Sequence, residues 1–315
     1  MPVIRLLIAA VLATASSVLL AAPAAAKSVG PCYPDGPSCT FVTGKVRLVA
    51  DGDTIDVDIA GDGTRVARRV RMTGYNATEL FRYSNYPERR RGECHGVSAA
   101  NRLQQLIGPT RQVRLAAQRE SSRGENGRLR RQVSVLINGA WVDVGPIMLA
   151  EGRALAFAAS DEWAWNGTYA AAARQAAAAG IGIWNPRGCG AGPAANVPLF
   201  IRAQYHKYKR DETKYLNSEW VKIFNPSGRK VSLRGWFVRD SSLLRYYFPE
   251  SAVLRPHARI KLRIGNGRNR PGRVYHWGLP KPPFNNPSND RRHIHDGAYL
   301  FDRRGNMRAY VLWGG

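Results

Sequence analysis

The chain has 315 residues, with 47 lysines and arginines against 23 aspartates and glutamates, for a formal net charge of +24. A field of that sign attracts polyanions and speeds their encounter at low salt, which makes nucleic acid or another anionic polymer the expected partner. Beyond the first 26 residues no run is apolar for long enough to span a bilayer, so stable membrane insertion is not expected.

Residues 1–26 read as a secretory signal. Arg5 gives the positive start, Leu6 to Leu20 a short apolar run, and Ala24 to Ala26 a small-residue cleavage site before Lys27. A transmembrane anchor is the alternative, and the run is Ala-rich and short for it. The mature chain is expected to be secreted, or extracellular. About 289 residues then remain, enough for two domains with cores of their own. Residues 1–195 hold 23 basic and 15 acidic side chains and residues 196–315 hold 24 and 8, so the second part carries twice the net charge.

Four cysteines follow the signal, an even number that favours two disulfides in an exported chain. Cys32 and Cys39 are near neighbours, and Cys32–Cys39 with Cys94–Cys189 is the favoured assignment. All three pairings stay open on sequence alone. A zinc site fits one Cys-x6-Cys and two isolated cysteines poorly.

From Phe41 the pattern is short strands with helices between them. Strands are expected at Lys45–Ala50, Thr54–Ile59, Val66–Thr73, Gln112–Leu115 and Gln132–Ile137. Val97–Ile107 reads as a helix with Ala99, Leu103 and Ile107 on one face, and Val144–Glu151 as another ended by Gly152. Asn166 or Thr168 is the expected cap of an Ala-rich helix through Ala179. Five strands with about three helices suit a small barrel of the oligonucleotide-binding type. Gly188 to Pro198 is the linker candidate, and truncation there is expected to leave the first domain folded. Short strands then recur at Glu219–Asn225, Val231–Gly235, Trp236–Asp240, Tyr246–Phe248, Arg259–Ile264, Tyr299–Phe301 and Ala309–Trp313, the spacing of a β-sandwich.

One stretch carries chemistry. Asp51-Gly-Asp53-Thr54 turns into a strand in which Ile55, Val57 and Ile59 alternate with Asp56 and Asp58. Asp53 is expected at the mouth of the strand, wet enough to hold a hard cation. Arg71 lies on the next strand and Glu79 just beyond. A cation, an arginine and a spare carboxylate are what phosphodiester hydrolysis requires. An EF-hand is excluded, because Ile55, Asp56 and Asp62 stand where that loop wants an acid or amide, a glycine and a glutamate.

The ordered set Asp51-Gly-Asp53-Thr54, Arg71, Glu79 and Gly127-Arg128 resembles a staphylococcal-type nuclease (thermonuclease) domain. Gly96 before a helix, Glu151-Gly152-Arg-Ala154 and Gly182-Ile-Trp184 belong to the same likeness, which covers about residues 41–190. The resemblance implies a barrel of the oligonucleotide-binding type and calcium-dependent hydrolysis of DNA and RNA to a 3′-phosphate and a 5′-hydroxyl. It assigns calcium to Asp53, Asn76 and the Ala77 carbonyl, with Asp51 in support, the general base to Glu79, and the phosphate clamp to Arg71 and Arg128. The chain departs from the family where Asn76-Ala77-Thr78 replaces an aspartate, a small polar residue and a proline. It departs again where Leu129-Arg130-Arg131-Gln132 replaces a small and apolar strand start.

Around that core, Tyr83, Tyr86 and Arg89-Arg90-Arg91 form a candidate substrate loop, with tyrosines to stack and arginines to track a backbone. Trp163 and Trp165 are candidate substitutes for the family's stacking tyrosines. Glu219-Trp-Val-Lys-Ile, Leu233-Arg-Gly-Trp236, Leu254-Arg-Pro256 and Gly278 with Phe284-Asn285-Asn286 resemble a lamin-tail domain, an immunoglobulin-like sandwich, over about residues 200–315. There the tryptophans 220, 236, 277 and 313 are expected in the core, and His293-Ile-His295 on a hairpin.

The sequence therefore divides into a signal (1–26), a disulfide segment (27–40), the nuclease-like domain (41–190), a linker (191–199) and the sandwich (200–315). The class is β-rich α+β. The expected function is a secreted, calcium-dependent nuclease. A weakly catalytic nucleic-acid-binding module and an envelope adhesion protein are the rivals, and the sandwich's own partner is left open.

Overall fold

The computed structural model describes residues 27–81, 92–185, 188, 197–205, 212–286 and 290–314. Strands β1 (Ser28–Pro31), β2 (Ser38–Val49), β3 (Thr54–Ile59) and β4 (Arg68–Met72) open the chain, followed by the short β5 (Tyr75–Ala77). Helix α1 (Gly96–Ile107) precedes β6 (Gln112–Ala117), β7 (Leu129–Ile137) and β8 (Ala140–Asp143). Then come α2 (Val144–Ala150), β9 (Ala154–Ala156) and α3 (Asn166–Ala178).

Five strands close into a barrel in the order β2-β3-β4-β7-β6, with β6 returning to β2. Closure depends on β2, which is twice as long as expected: Thr40–Lys45 pairs with β6 and Gly44–Val49 with β3. The strand crosses from one partner to the other at Gly44. A Cβ there would lie 2.6 Å from Val57 Cγ1 and 2.7 Å from the Asp58 carbonyl. The expected alternation of β3 holds, since Ile55 and Val57 are fully buried. Ala99, Leu103 and Ile107 of α1 are buried as one face.

The cap expected at Asn166 is corrected. Its amide instead bonds the Ala159 backbone on both sides and the Arg291 carbonyl, and α3 has no side-chain cap. Cys32–Cys39 is a disulfide, which fits an oxidising compartment. Cys94 is also disulfide-bonded, and its expected partner Cys189 lies outside the described residues, as do the signal and most of the linker.

Strands β10 (Phe200–Gln204), β11 (Trp220–Phe224), β12 (Val231–Ser232), β13 (Phe237–Arg239), β14 (Arg245–Tyr247) and β15 (Val253–Leu254) begin the second unit. It continues with β16 (Arg259–Arg263), β17 (Val274–His276), β18 (His295–Phe301) and β19 (Met307–Gly314). Sheet β10-β11-β16-β17 and sheet β14-β13-β18-β19 bury one core, with Val221, Ile260 and Leu262 from the first and Val238, Leu300 and Trp313 from the second. Trp236 and Trp313 are buried and Trp220 and Trp277 half-buried.

The two units are not independent. Phe237, Tyr299, Phe301 and Met307 of the sandwich belong to the barrel's own apolar cluster. Trp184, buried in the turn after α3, packs on Tyr299 and edge-on against Tyr310 at a centroid distance of 4.9 Å. Separability near Pro198, expected from the linker's composition, meets a shared core instead.

Candidate active site

The nuclease-like residues gather at one end of the barrel, against the sandwich. The Asp51 Oδ1 accepts the Asp53 N–H at 3.1 Å, which fixes the turn into β3. Gly52 is dictated by packing: a Cβ there would lie 2.6 Å from that of Ala77 and 2.8 Å from that of Ala99. The turn is thus pressed between β5 and α1.

Asp53 is not wet, as the sequence suggested, but 1% exposed. Its Oδ2 accepts the Ala77 N–H at 2.6 Å and its Oδ1 the Thr54 hydroxyl at 2.9 Å. Oδ1 is also ion-paired with Arg71, which stands opposite Thr54 in the β3–β4 register. A buried carboxylate needs such a partner, because isolated it would be strongly disfavoured. The same guanidinium donates to Thr54 Oγ1 at 3.3 Å and to Asn76 Oδ1. Burial lowers Arg71 to about 10, against the opposing pull of Asp51 and Glu79. Burial likewise raises Asp51 above the ordinary aspartate value, with Arg71 and Thr54 opposing.

Asn76 explains its own departure from the nuclease pattern. It is 3% exposed, and its Nδ2 donates at 2.6 Å to the carbonyl of Ser241, between β13 and β14. An aspartate has no proton to donate there. The amide therefore joins Arg71 on one side to the sandwich on the other. Asn76-Ala-Thr78 and Asn166-Gly-Thr168 both spell a glycosylation sequon, and with both asparagines buried neither is open to a glycan.

Glu79 is half-buried at the exit of β5. Its N–H donates to Glu93 Oε2 at 3.0 Å, and the Glu93 N–H returns to the Glu79 carbonyl at 2.7 Å. Burial first, then the charges of Glu93 and Asp51, push the Glu79 carboxyl up, while Arg71 and Arg245 pull it down. Arg128, half-buried, acts on both Arg71 and Asp51. Asp51, Asp53, Arg71, Asn76, Ala77, Glu79 and Arg128 thus share one electrostatic neighbourhood.

Calcium's fit can be judged from the donor set. Asp53 Oδ1 and Asn76 Oδ1 converge on one positive group, each held from behind by a hydrogen bond. Converging, fixed oxygens suit a hard cation. The Arg71 guanidinium holds that position here and would have to yield it. Among the described residues, no three His, Cys, Asp or Glu side chains gather as a metal group.

Tyr83, Tyr86, Arg89, Arg90 and Arg91 lie outside the described residues. Trp165 is 6% exposed and has no face for a base, whereas Trp163 is half-buried. His295 is buried, which lowers it to about 4, and His293 is exposed, so the pair does not act as one surface. Three participants were not legible in the sequence: Glu93, Ser241 and Arg245, whose Nη2 lies 3.2 Å from Glu93 Oε1. Ser241 and Arg245 join the site from the sandwich and Glu93 from within the barrel, bonded to Glu79, and no local motif marks any of them.

Fold and site together define a closed five-stranded barrel with a buried Asp–Arg–Asn cluster, fastened to a β-sandwich. Residues 193–315 match the family model of the Lamin Tail Domain. The match covers the sandwich and does not extend over the barrel. No curated protein matches the chain.

Proposed function

We propose that the chain is an exported nuclease, its barrel of the oligonucleotide-binding type, that hydrolyses phosphodiester bonds of DNA, RNA or both. The observation that carries the reading is the convergence of Asp53, Arg71, Asn76, Glu79 and Arg128, separated by up to 75 positions, in the order the nuclease resemblance requires. The raised Glu79 is suited to take a proton from an attacking water. Arg71 and Arg128 are suited to stabilise the phosphorane, since a planar guanidinium matches two phosphate oxygens at once. Asp53 and Asn76 with the Ala77 carbonyl would hold calcium, supported by Asp51. When bound, the ion supplies charge to neutralise the phosphate. The leading charge of residues 1–26 and the disulfide support export.

A second reading, a binding module of weak chemistry, is favoured by one observation: the Arg71 donors already face Asp53, Thr54 and Asn76. The discriminating experiment uses the mature protein with plasmid and RNA, in calcium and in chelator. Cleavage confined to calcium supports the enzyme. A gel shift without cleavage in calcium supports the binder.

A further inference from the structure

A cleft of about 830 Å³ opens between barrel and sandwich, with Glu93, the hydrogen-bond partner of the Glu79 N–H, in its wall. Phe81 and Glu93 line it from the barrel, and Phe237, Arg245 and Tyr247 from the sandwich. The turn of Arg303, Arg304 and Gly305 completes the rim. Its size is in the range that encloses a drug-sized ligand.

Three guanidinium groups face one carboxylate in this lining. The Glu93 carboxylate already accepts the Glu79 N–H and pairs with Arg245, and the lining carries more guanidinium than carboxylate groups, with Arg303 and Arg304 both exposed. The aromatic side is equally specific. Tyr247 is 51% exposed and braced from behind by Phe237, at a centroid distance of 5.2 Å. The Arg245 guanidinium lies over the rings of Phe81 and Phe237 at 6.0 and 5.4 Å.

The arginine turn is fixed relative to the candidate base. Cys94 N–H donates to the Gly305 carbonyl at 3.3 Å. Gly305 has φ +73, and a Cβ there would lie 2.6 Å from Glu93 Cγ. Only glycine lets the turn lie against the residue that hydrogen-bonds Glu79.

We propose that this cleft is a subsite for an unpaired nucleic-acid strand, supplied by the sandwich to the barrel's site. Tyr247 stacks a base and Arg303 and Arg304 hold the flanking phosphates. The proposal deepens the nuclease reading and names its substrate as single-stranded at this position. Fixed arginines beside an exposed aromatic face are the arrangement by which proteins hold single strands without reading sequence. A duplex hides its base faces and cannot use Tyr247.

The test is binding, measured in chelator so that cleavage plays no part. Fluorescence anisotropy follows a labelled oligothymidylate and a duplex of equal length on the mature protein, across a salt series. Tyr247→Ala is expected to weaken single-strand binding by roughly 5- to 150-fold, the scale of one lost stacked base, and to leave the duplex nearly unchanged. Arg303→Ala with Arg304→Ala is expected to flatten the logarithmic salt slope by about 1.4, for two phosphate contacts on a single strand. All three side chains are exposed, and unfolding midpoints serve as the check on folding. Unchanged single-strand affinity in the Tyr247 variant, or equal losses on both substrates, overturns the proposal even if calcium-dependent cleavage is found. The expected losses uphold it even if no cleavage occurs.

Discussion

Replacing Asn76 with aspartate restores the nuclease pattern and should, in this protein, destabilise the fold. The change is isosteric, but it removes the Nδ2 proton that reaches the Ser241 carbonyl at 2.6 Å and sets a carboxylate oxygen against a carbonyl oxygen. Leaving that buried acceptor unsatisfied costs about 1–3 kcal/mol. Arg71 gains a second carboxylate, and a charge-assisted bond is about twice as strong as a neutral one, which returns about 1 kcal/mol. The two terms leave a loss of about 0–2 kcal/mol in chelator, and the repulsion between the new carboxylate oxygen and the Ser241 carbonyl puts the expectation toward the upper end, read by urea unfolding of the full chain. Calcium should reverse the order, because two carboxylates then face the ion and ligand binding adds stability by mass action. Half-saturation of activity by calcium should likewise move lower. An Asn76→Asp protein as stable as the parent in chelator would refute the reasoning. Asn76 would then be a weakened ligand and nothing more.

Two further outcomes follow from the same contacts. As a general base Glu79 would work as the carboxylate, so activity is expected above its pKa, which lies above the usual 4.5, and should be lost as pH falls through it. Glu93→Gln removes the second-largest cause of that rise, and the acid limb of the cleavage–pH profile should move lower; an unmoved limb would leave Glu93 without influence on the base. Ending the chain near Pro198 should leave a barrel that unfolds early or aggregates, because it strips Tyr299 and Tyr310 from Trp184. Fully burying one such side chain is worth about 1.5–3 kcal/mol, against a total near 5–15 kcal/mol. A cooperative transition of the truncated barrel at the parent's midpoint would contradict the shared core.

What the sequence made legible was what short-range pattern controls. The expected β3 coincides with the observed Thr54–Ile59 because its alternation is strict, and the expected α1 agrees to within one residue because Ala99, Leu103 and Ile107 repeat at helical spacing. β7 was placed three residues late: Leu129, Arg130 and Arg131 do not alternate, and they join the sheet through parallel pairing with β4. The first half of β2 was missed for a similar reason, since it exists to close the barrel on β6. At the site, Asp53, Arg71 and Glu79 were legible by their order. The burial of Asp53 was not, because the groups that close on its carboxylate, Arg71 and the Ala77 N–H, come from β4 and β5. Ser241 lies 165 residues from the asparagine it accepts from, and composition near Pro198 reports a linker's chemistry without the core that bridges it.

The central claim is that Glu79 serves as the base of a phosphodiesterase. It is tested most directly by the single-turnover rate of oligonucleotide cleavage, in calcium, by the mature protein and by Glu79→Gln at matched occupancy. The account predicts that the variant binds as the parent does, cleaves slower by roughly 100-fold or more, and that the parent's product ends in a 3′-phosphate. Equal rates, or a parent protein that binds the oligonucleotide and never cuts it, would contradict the account.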